Sequence, residues 1–269
     1  MFELVYIFPY FGTMNTLKES KLNKLLQSVP TNTVILSSWL RESGYSADLQ
    51  KVYRNSNWLE SIGTGAMIRK GDQVSFEGAV FALQNQANSS IHPGGGSALS
   101  LQGKAHFLEL SSTSVALFGS ANEKLPAWFR NYDWGISLQY YSTDFLPPNL
   151  GLIEYETKNF SFKVSNPARA MMECLYLVPR KQSLLECYEI MEGLTTLKPS
   201  TVQQLLEHCK SVKVKRLFLY LAEKADHAWV KYIKPEEIDL GSGKRSIIKG
   251  GVYNVKYQIT VDKELEKKQ

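Results

Sequence analysis

The stretch from Lys18 to Lys70 constrains the fold most, because short apolar-periodic segments follow one another with tight breaks and end in a glycine pair. Leu22, Leu25 and Leu26 share one face of Lys21 to Ser28, which predicts a short amphipathic helix ended by Pro30. Thr31 and Thr33 are candidate caps for a second helix, where Ile35, Leu36, Trp39 and Leu40 fall at helical spacing. Gly44 makes the break, Ser46 offers the next cap, and Leu49, Val52 and Tyr53 line the expected inner face of a third helix. Two short helices joined by a glycine-containing turn are the helix-turn-helix layout. Residues 58–70 then read as two strands around Gly63-Thr64-Gly65, a wing with Arg69 and Lys70 at its base. Trp39, Leu49 and Trp58 are expected core residues.

The outer face of the third helix is expected to show Asp48, Gln50, Lys51, Arg54 and Asn55, side chains that can reach base edges or phosphates. Ser46, Gln50, Lys51, Arg54, Asn55, Arg69 and Lys70 are therefore the candidate DNA-binding residues. Residues 14–72 hold eight Lys and Arg against five Asp and Glu. That balance suits a phosphate backbone without demanding one, since affinity follows the phosphates neutralised. A winged helix can equally serve as a protein-binding adaptor.

The whole chain has 269 residues, 43% hydrophobic and 21% charged, with net charge +5. This excludes wholly disordered, collagenous and disulfide-stapled classes. Cys174, Cys187 and Cys209 are odd in number and form no CxxC, so neither a disulfide framework nor a zinc site is expected, and a reducing cytosolic compartment fits. Residues 1–13 are strongly apolar but lack a basic start and a cleavage site, and Pro9 and Gly12 interrupt them. Two readings stand for this extension: a strand paired with the body, or a run preceding a start at Met14. No other stretch is long enough to span a membrane.

Beyond the wing, residues 73–269 are expected to form a larger mixed domain, giving an α+β chain. Helices are predicted from Phe76 to Gln86, from Ser97, and from Asn166-Pro167. More follow at Leu184 to Met191, Ser200 to His208 and Val212 to Lys224. Strands are predicted at Phe107–Leu110, Val115–Phe118, Gly135–Tyr141, Leu152–Glu156 and Phe160–Val164. Alternation from Tyr253 to Val261 predicts one long antiparallel strand, followed by a frayed charged tail.

Candidate chemistry in this domain is sparse. His92-Pro93-Gly94-Gly95-Gly96-Ser97 could cradle an anion, but the P-loop lysine is missing and a tight turn is the simpler reading. Gly119-Ser120 opens like a nucleotidyltransferase site yet lacks the carboxylate pair that holds metal. Asp144 with Glu156 and Lys158 matches the D…ExK spacing of metal-dependent nucleases, which makes a tethered nuclease the alternative. His92, His106, His208 and His227 are scattered. No catalytic residue, metal or cofactor is assigned, and the chain is not expected to be an enzyme. Lys210, Lys213, Lys215 and Arg216 form one basic group, and Lys244, Arg245 and Lys249 another. A solvated face explains either group alone; two in one domain point to a surface for a polyanion or an acidic protein.

Five stretches in order resemble the AbiEi family, the antitoxins of type IV toxin–antitoxin pairs: residues 38–46 (SWLRESGYS), 58–66 (WLESIGTGA), 91–99 (IHPGGGSAL), 165–173 (SNPARAMME) and 240–245 (LGSGKR). The resemblance implies a bacterial, cytoplasmic protein of phage defence. Its winged helix would bind double-stranded promoter DNA at inverted repeats and repress its own operon. Its C-terminal domain would counter a nucleotidyltransferase toxin without a stable complex; the residues alone make the two basic groups the candidate antitoxin surface. One departure is Asn166-Pro167-Ala168-Arg169, where the family more often reads Ser-Pro-Glu-Arg. Residues 1–13 have no counterpart in it.

Overall fold

In the computed structural model the described residues are 20–104 and 114–267. The apolar run 1–13 and the strand expected at 107–110 lie outside them. The first helix, α1 (Lys21–Ser28), begins where the Ser20 hydroxyl accepts the Asn23 N–H. It belongs to a compact unit ending at Pro30, and the chain from Thr31 onward forms a second.

That second unit opens with β1 (Ile35–Leu36), α2 (Ser37–Glu42), α3 (Ala47–Asn55), β2 (Leu59–Gly63) and β3 (Ala66–Arg69). The sheet order β1-β3-β2 makes this a winged helix-turn-helix. Gly44, at φ +84°, makes the turn between α2 and α3, and Ser46 caps α3 by accepting the Leu49 N–H at 3.3 Å. Ile35 and Leu36 are not helical: they pair with Met67 and Ala66, and the helix starts at Ser37 with no side-chain cap, so neither Thr31 nor Thr33 serves as one. Trp39 and Leu49 are half-buried, whereas Trp58 is 49% exposed and is not core. Trp58 stands just before β2, where its backbone bonds to Tyr53 and Lys70 while the ring turns to solvent. Val52 is likewise exposed, and the inner face of α3 is made by Gln50 and Tyr53.

Next comes α4 (Phe76–Gln86), whose extent matches its apolar repeat. Its amide side chains extend two sheets. Gln86 accepts the Leu36 N–H at 2.7 Å and donates to Val34 O at 2.9 Å, completing the outer edge of β1. Then β4 (His92–Pro93), α5 (Gly95–Leu101), β5 (Ser114–Gly119), α6 (Ala127–Asn131) and β6 (Ser137–Ser142) build a sheet ordered β4-β5-β6, in which β5 and β6 run parallel. A hairpin follows, β7 (Leu152–Glu156) and β8 (Ser161–Ser165). Gln84 treats β8 as Gln86 treats β1: it accepts the Lys163 N–H at 2.7 Å and donates to Lys163 O at 2.9 Å.

The helical layer is α7 (Pro167–Leu177), α8 (Leu184–Gly193), α9 (Pro199–His208) and α10 (Val212–Lys224). Asn166 caps α7 with Pro167 in its first turn, and Ser183 and Glu186 form a capping box on α8. All side chains from Ala168 to Leu175 are buried, so α7 is the central helix of the core. The chain closes with β9 (Arg245–Ser246), β10 (Val252–Asn254), β11 (Ile259–Val261) and α11 (Lys263–Lys267). The expected long strand is broken by a turn at residues 255–258, where Gln258 takes φ +51° and Asn254 Oδ1 accepts the Tyr257 N–H. The two halves of the alternating run pair with each other as β10 and β11. The tail is not frayed through its described part, because α11 buries Leu265 completely.

Candidate nucleic-acid interface

The α3 and wing surface gathers some of the expected contacts and removes one. Lys51 and Asn55 are exposed on α3, with Asp48 beside them. Arg54 is half-buried and its Nη1 lies 3.4 Å from Met67 Sδ, so its guanidinium leans over β3. Gln50 is only 1% exposed and does not lie on the outer face. Its Oε1 accepts from Ser37 Oγ at 2.6 Å, and its Nε2 donates to Tyr45 O at 2.9 Å and Ser37 O at 3.3 Å. It locks the turn between the two helices, a role that helical spacing could not separate from base contact. Ser46 is exposed, with its hydroxyl engaged as the cap. In the wing, Lys70 pairs with Glu60 at 2.7 Å and Arg69 is half-buried.

The wing is held from outside the winged helix. A Cβ on Gly63, at φ +152°, would stand 2.8 Å from Trp128 Cβ of α6. The glycine lets α6 pack closely against the wing.

The two C-terminal basic groups fare differently. Lys215 and Arg216 are buried and form no surface. The Arg216 guanidinium donates to the carbonyls of Leu240 at 2.8 Å, Gly241 at 3.0 Å and Gly243 at 2.7 Å, tying down the loop before β9. Lys213 is half-buried and donates to Tyr176 O at 2.7 Å and Val178 O at 2.6 Å, at the C-terminal end of α7 where a cation suits the free carbonyls. Burial pushes its ammonium below the ordinary lysine range. Lys210 is exposed and bonds Asp144 at 3.0 Å. Lys244, Arg245 and Lys249 are all exposed. The apolar stripe of α10 gave no warning that two of its cations turn inward to carbonyls.

Sequence reasoning missed a buried carboxylate that makes four hydrogen bonds. Glu173 is completely buried in α7. Its Oε1 accepts from Arg169 Nε at 2.8 Å and faces His92 Nε2 at 3.2 Å; its Oε2 accepts from the Gly95 N–H and Ser165 Oγ, each at 2.8 Å. Burial pushes the carboxyl up, but the His92 hydrogen bond and the Arg169 charge outweigh it and hold it below the usual range. His92 Nδ1 faces Ser90 O at 2.7 Å, so both ring nitrogens meet acceptor oxygens. The glycine run after His92 therefore cradles an anion of the chain itself. A Cβ on Gly94 would lie 2.3 Å from Glu173 Oε2. Arg169 and Glu173 at i and i+4 on an otherwise apolar helix were the available signal.

The remaining motifs resolve simply. Ser120 donates its N–H to Glu123 at 3.2 Å, and Ser89 and Ser90 bond the same carboxylate. Asp144 pairs with Lys210, while Glu156 and Lys158 are exposed at the far end of β7 and beyond it. Among the described residues no three His, Cys, Asp or Glu are grouped to hold a metal, and no helix is long and apolar enough to cross a membrane. The cysteines are buried, and burial pushes the Cys174 thiol up to about 12.

Residues 112–262 match a family described as transcriptional regulator, AbiEi antitoxin, type IV TA system, and residues 18–110 match the AbiEi antitoxin N-terminal domain of a transcriptional regulator. The chain belongs to the AbiEi antitoxin family. A comparison with curated proteins finds no match. Among solved structures, the RV2827C protein from Mycobacterium tuberculosis is similar at TM-score 0.51 and 12% identity over 89% of each chain, a likeness of fold alone. The border between the two AbiEi matches runs through one sheet, since β4 lies before it and β5 and β6 after it.

Proposed function

We propose that this AbiEi family member represses its own operon by binding inverted repeats in promoter DNA through residues 14–72. Through residues 73–269 it counters a nucleotidyltransferase toxin in the bacterial cytoplasm. The observation that carries the DNA half is the pair Lys51 and Asn55, exposed on the second helix of a helix-turn-helix beside a fixed wing. Asn reads adenine edges and Lys reads guanine edges or phosphates from such a helix. Arg54, Arg69 and Lys70 flank them as phosphate contacts, and Gln50 supports the turn. Lys51→Ala with Asn55→Ala should weaken promoter binding by about 1–3 kcal/mol for each base-edge interaction removed. A mobility-shift titration in which the double variant binds like the parent would overturn this assignment.

For the toxin, the exposed cations Lys244, Arg245 and Lys249 are the working surface, and no stable complex is required. Charge reversal at Lys244 and Arg245 should prevent growth rescue when the protein is co-expressed with its toxin. Alanine at Asp144, Glu156 and Lys158 should leave rescue intact. The opposite pattern would favour a nuclease.

A further inference from the structure

The C-terminal sheet combines three features not found together elsewhere among the described residues. From Leu240 to Val261 the chain carries Lys244, Arg245, Lys249 and Lys256 and no Asp or Glu. Its register places Tyr253, Thr260 and Ser246 directly opposite one another across β10, β11 and β9, hence on one face. The alternate residues Ile259 and Val261 are fully buried, so the Tyr253 face is the solvent face. Tyr253 is 37% exposed, and Lys244 Nζ stands 5.1 Å from its ring centroid. Val255, in the turn, is 77% exposed.

The surrounding bonds hold this face in shape. Arg216 fixes the carbonyls just before Lys244, and Thr260 Oγ1 accepts the Ile247 N–H at 2.8 Å. Three nearby acids are engaged, while Glu264, just beyond β11, is exposed. Asp239 accepts the Gly241 N–H at 2.8 Å, Glu223 pairs with Lys256, and Glu266 accepts the Tyr220 hydroxyl at 2.7 Å. A small sheet with an exposed aromatic ring and flanking cations offers stacking to bases and charge to phosphates. An acidic protein would use the cations but gain nothing from the ring.

We infer that the solvent face of β9–β11 binds single-stranded nucleic acid, with a base stacked on Tyr253 and phosphates on Lys244, Arg245 and Lys249. The inference rests on taking these cations as the working surface of the C-terminal half, and it names the class of partner. The test is fluorescence anisotropy of the full chain with a labelled twelve-nucleotide oligouridylate over a range of salt. Tyr253→Ala should weaken binding roughly five- to hundredfold, and Tyr253→Phe should restore it. Lys244→Glu with Arg245→Glu should abolish binding; the milder Lys244→Ala should flatten the salt slope by about 0.7 for each phosphate left unneutralised. Unaltered thermal melts keep these variants interpretable. If Tyr253→Ala binds like the parent, or polyglutamate competes as well as oligouridylate, the platform is overturned. If oligonucleotide binding behaves as stated but charge reversal leaves growth rescue intact, the platform stands and the antitoxin assignment of these cations falls.

Discussion

Glu173 shows what a single buried carboxylate asks of its neighbours. Four donors from two stretches of chain, residues 92–95 and 165–169, converge on it, and removing the carboxylate leaves Arg169 without its counter-charge in the core. Glu173→Ala should destabilise the protein by about 3–5 kcal/mol, measured by chemical denaturation. The pH dependence has a definite sign. Because the folded carboxyl lies below its unfolded value of about 4.3, its stabilisation is complete above that pH and is lost as the pH falls through the folded value. Protonation there would leave Arg169 without its counter-charge. An acid titration of stability should therefore be shallower in Glu173→Gln than in the parent; equal slopes would contradict the assignment. Trp58 makes the reverse case: 49% exposed, it should tolerate alanine at a cost of about 0.5 kcal/mol or less, visible as a nearly unchanged thermal melt.

At the scale of elements, the sequence announces those whose stabilising contacts are local. Lys21–Ser28, Phe76–Gln86 and Val212–Lys224 each begin and end where their apolar repeat says they should. Leu152–Glu156 is equally legible, since its hairpin partner is close in sequence. Elements decided by distant partners are not. Ile35 and Leu36 carry a helical spacing, yet pairing with Met67 and Ala66 makes them a strand, helped by an amide at position 86. Tyr253 to Val261 alternates perfectly, but alternation cannot tell one long strand from a hairpin of two. The candidate site divides in the same way. Lys51, Asn55, Lys244 and Arg245 are exposed as expected, whereas Gln50 and Arg216 fold back onto backbone carbonyls and Lys215 is buried, which spacing alone does not reveal. Gln86→Ala should cost about 1–3 kcal/mol by orphaning the buried Leu36 N–H, and Gln86→Glu should keep the acceptor and recover part of that loss. Chemical denaturation of both variants checks it.

Across the whole molecule, the winged helix and the C-terminal half from Thr31 onward share one core, which includes Val34, Leu36, Ala66 and Ile68 together with Trp128 and Met171. Urea unfolding should therefore give coincident transitions by circular dichroism and tryptophan fluorescence. Gly63→Val, which must displace Trp128 and strain the backbone, should lower the midpoint and separate the two signals. A variant that melts like the parent would show that the wing and α6 are not joined as described.

The two glutamines of α4 carry a consequence for exchanging parts between relatives. At i and i+2 on a helix they project about 200° apart, so one helix is stitched to a strand on either side. A transplanted winged helix would arrive with the edge of its first strand bare unless the recipient's α4 supplied an amide at the matching place. Grafts that carry α4 with the winged helix should fold, and those spliced just ahead of Phe76 should succeed only between relatives that agree at position 86.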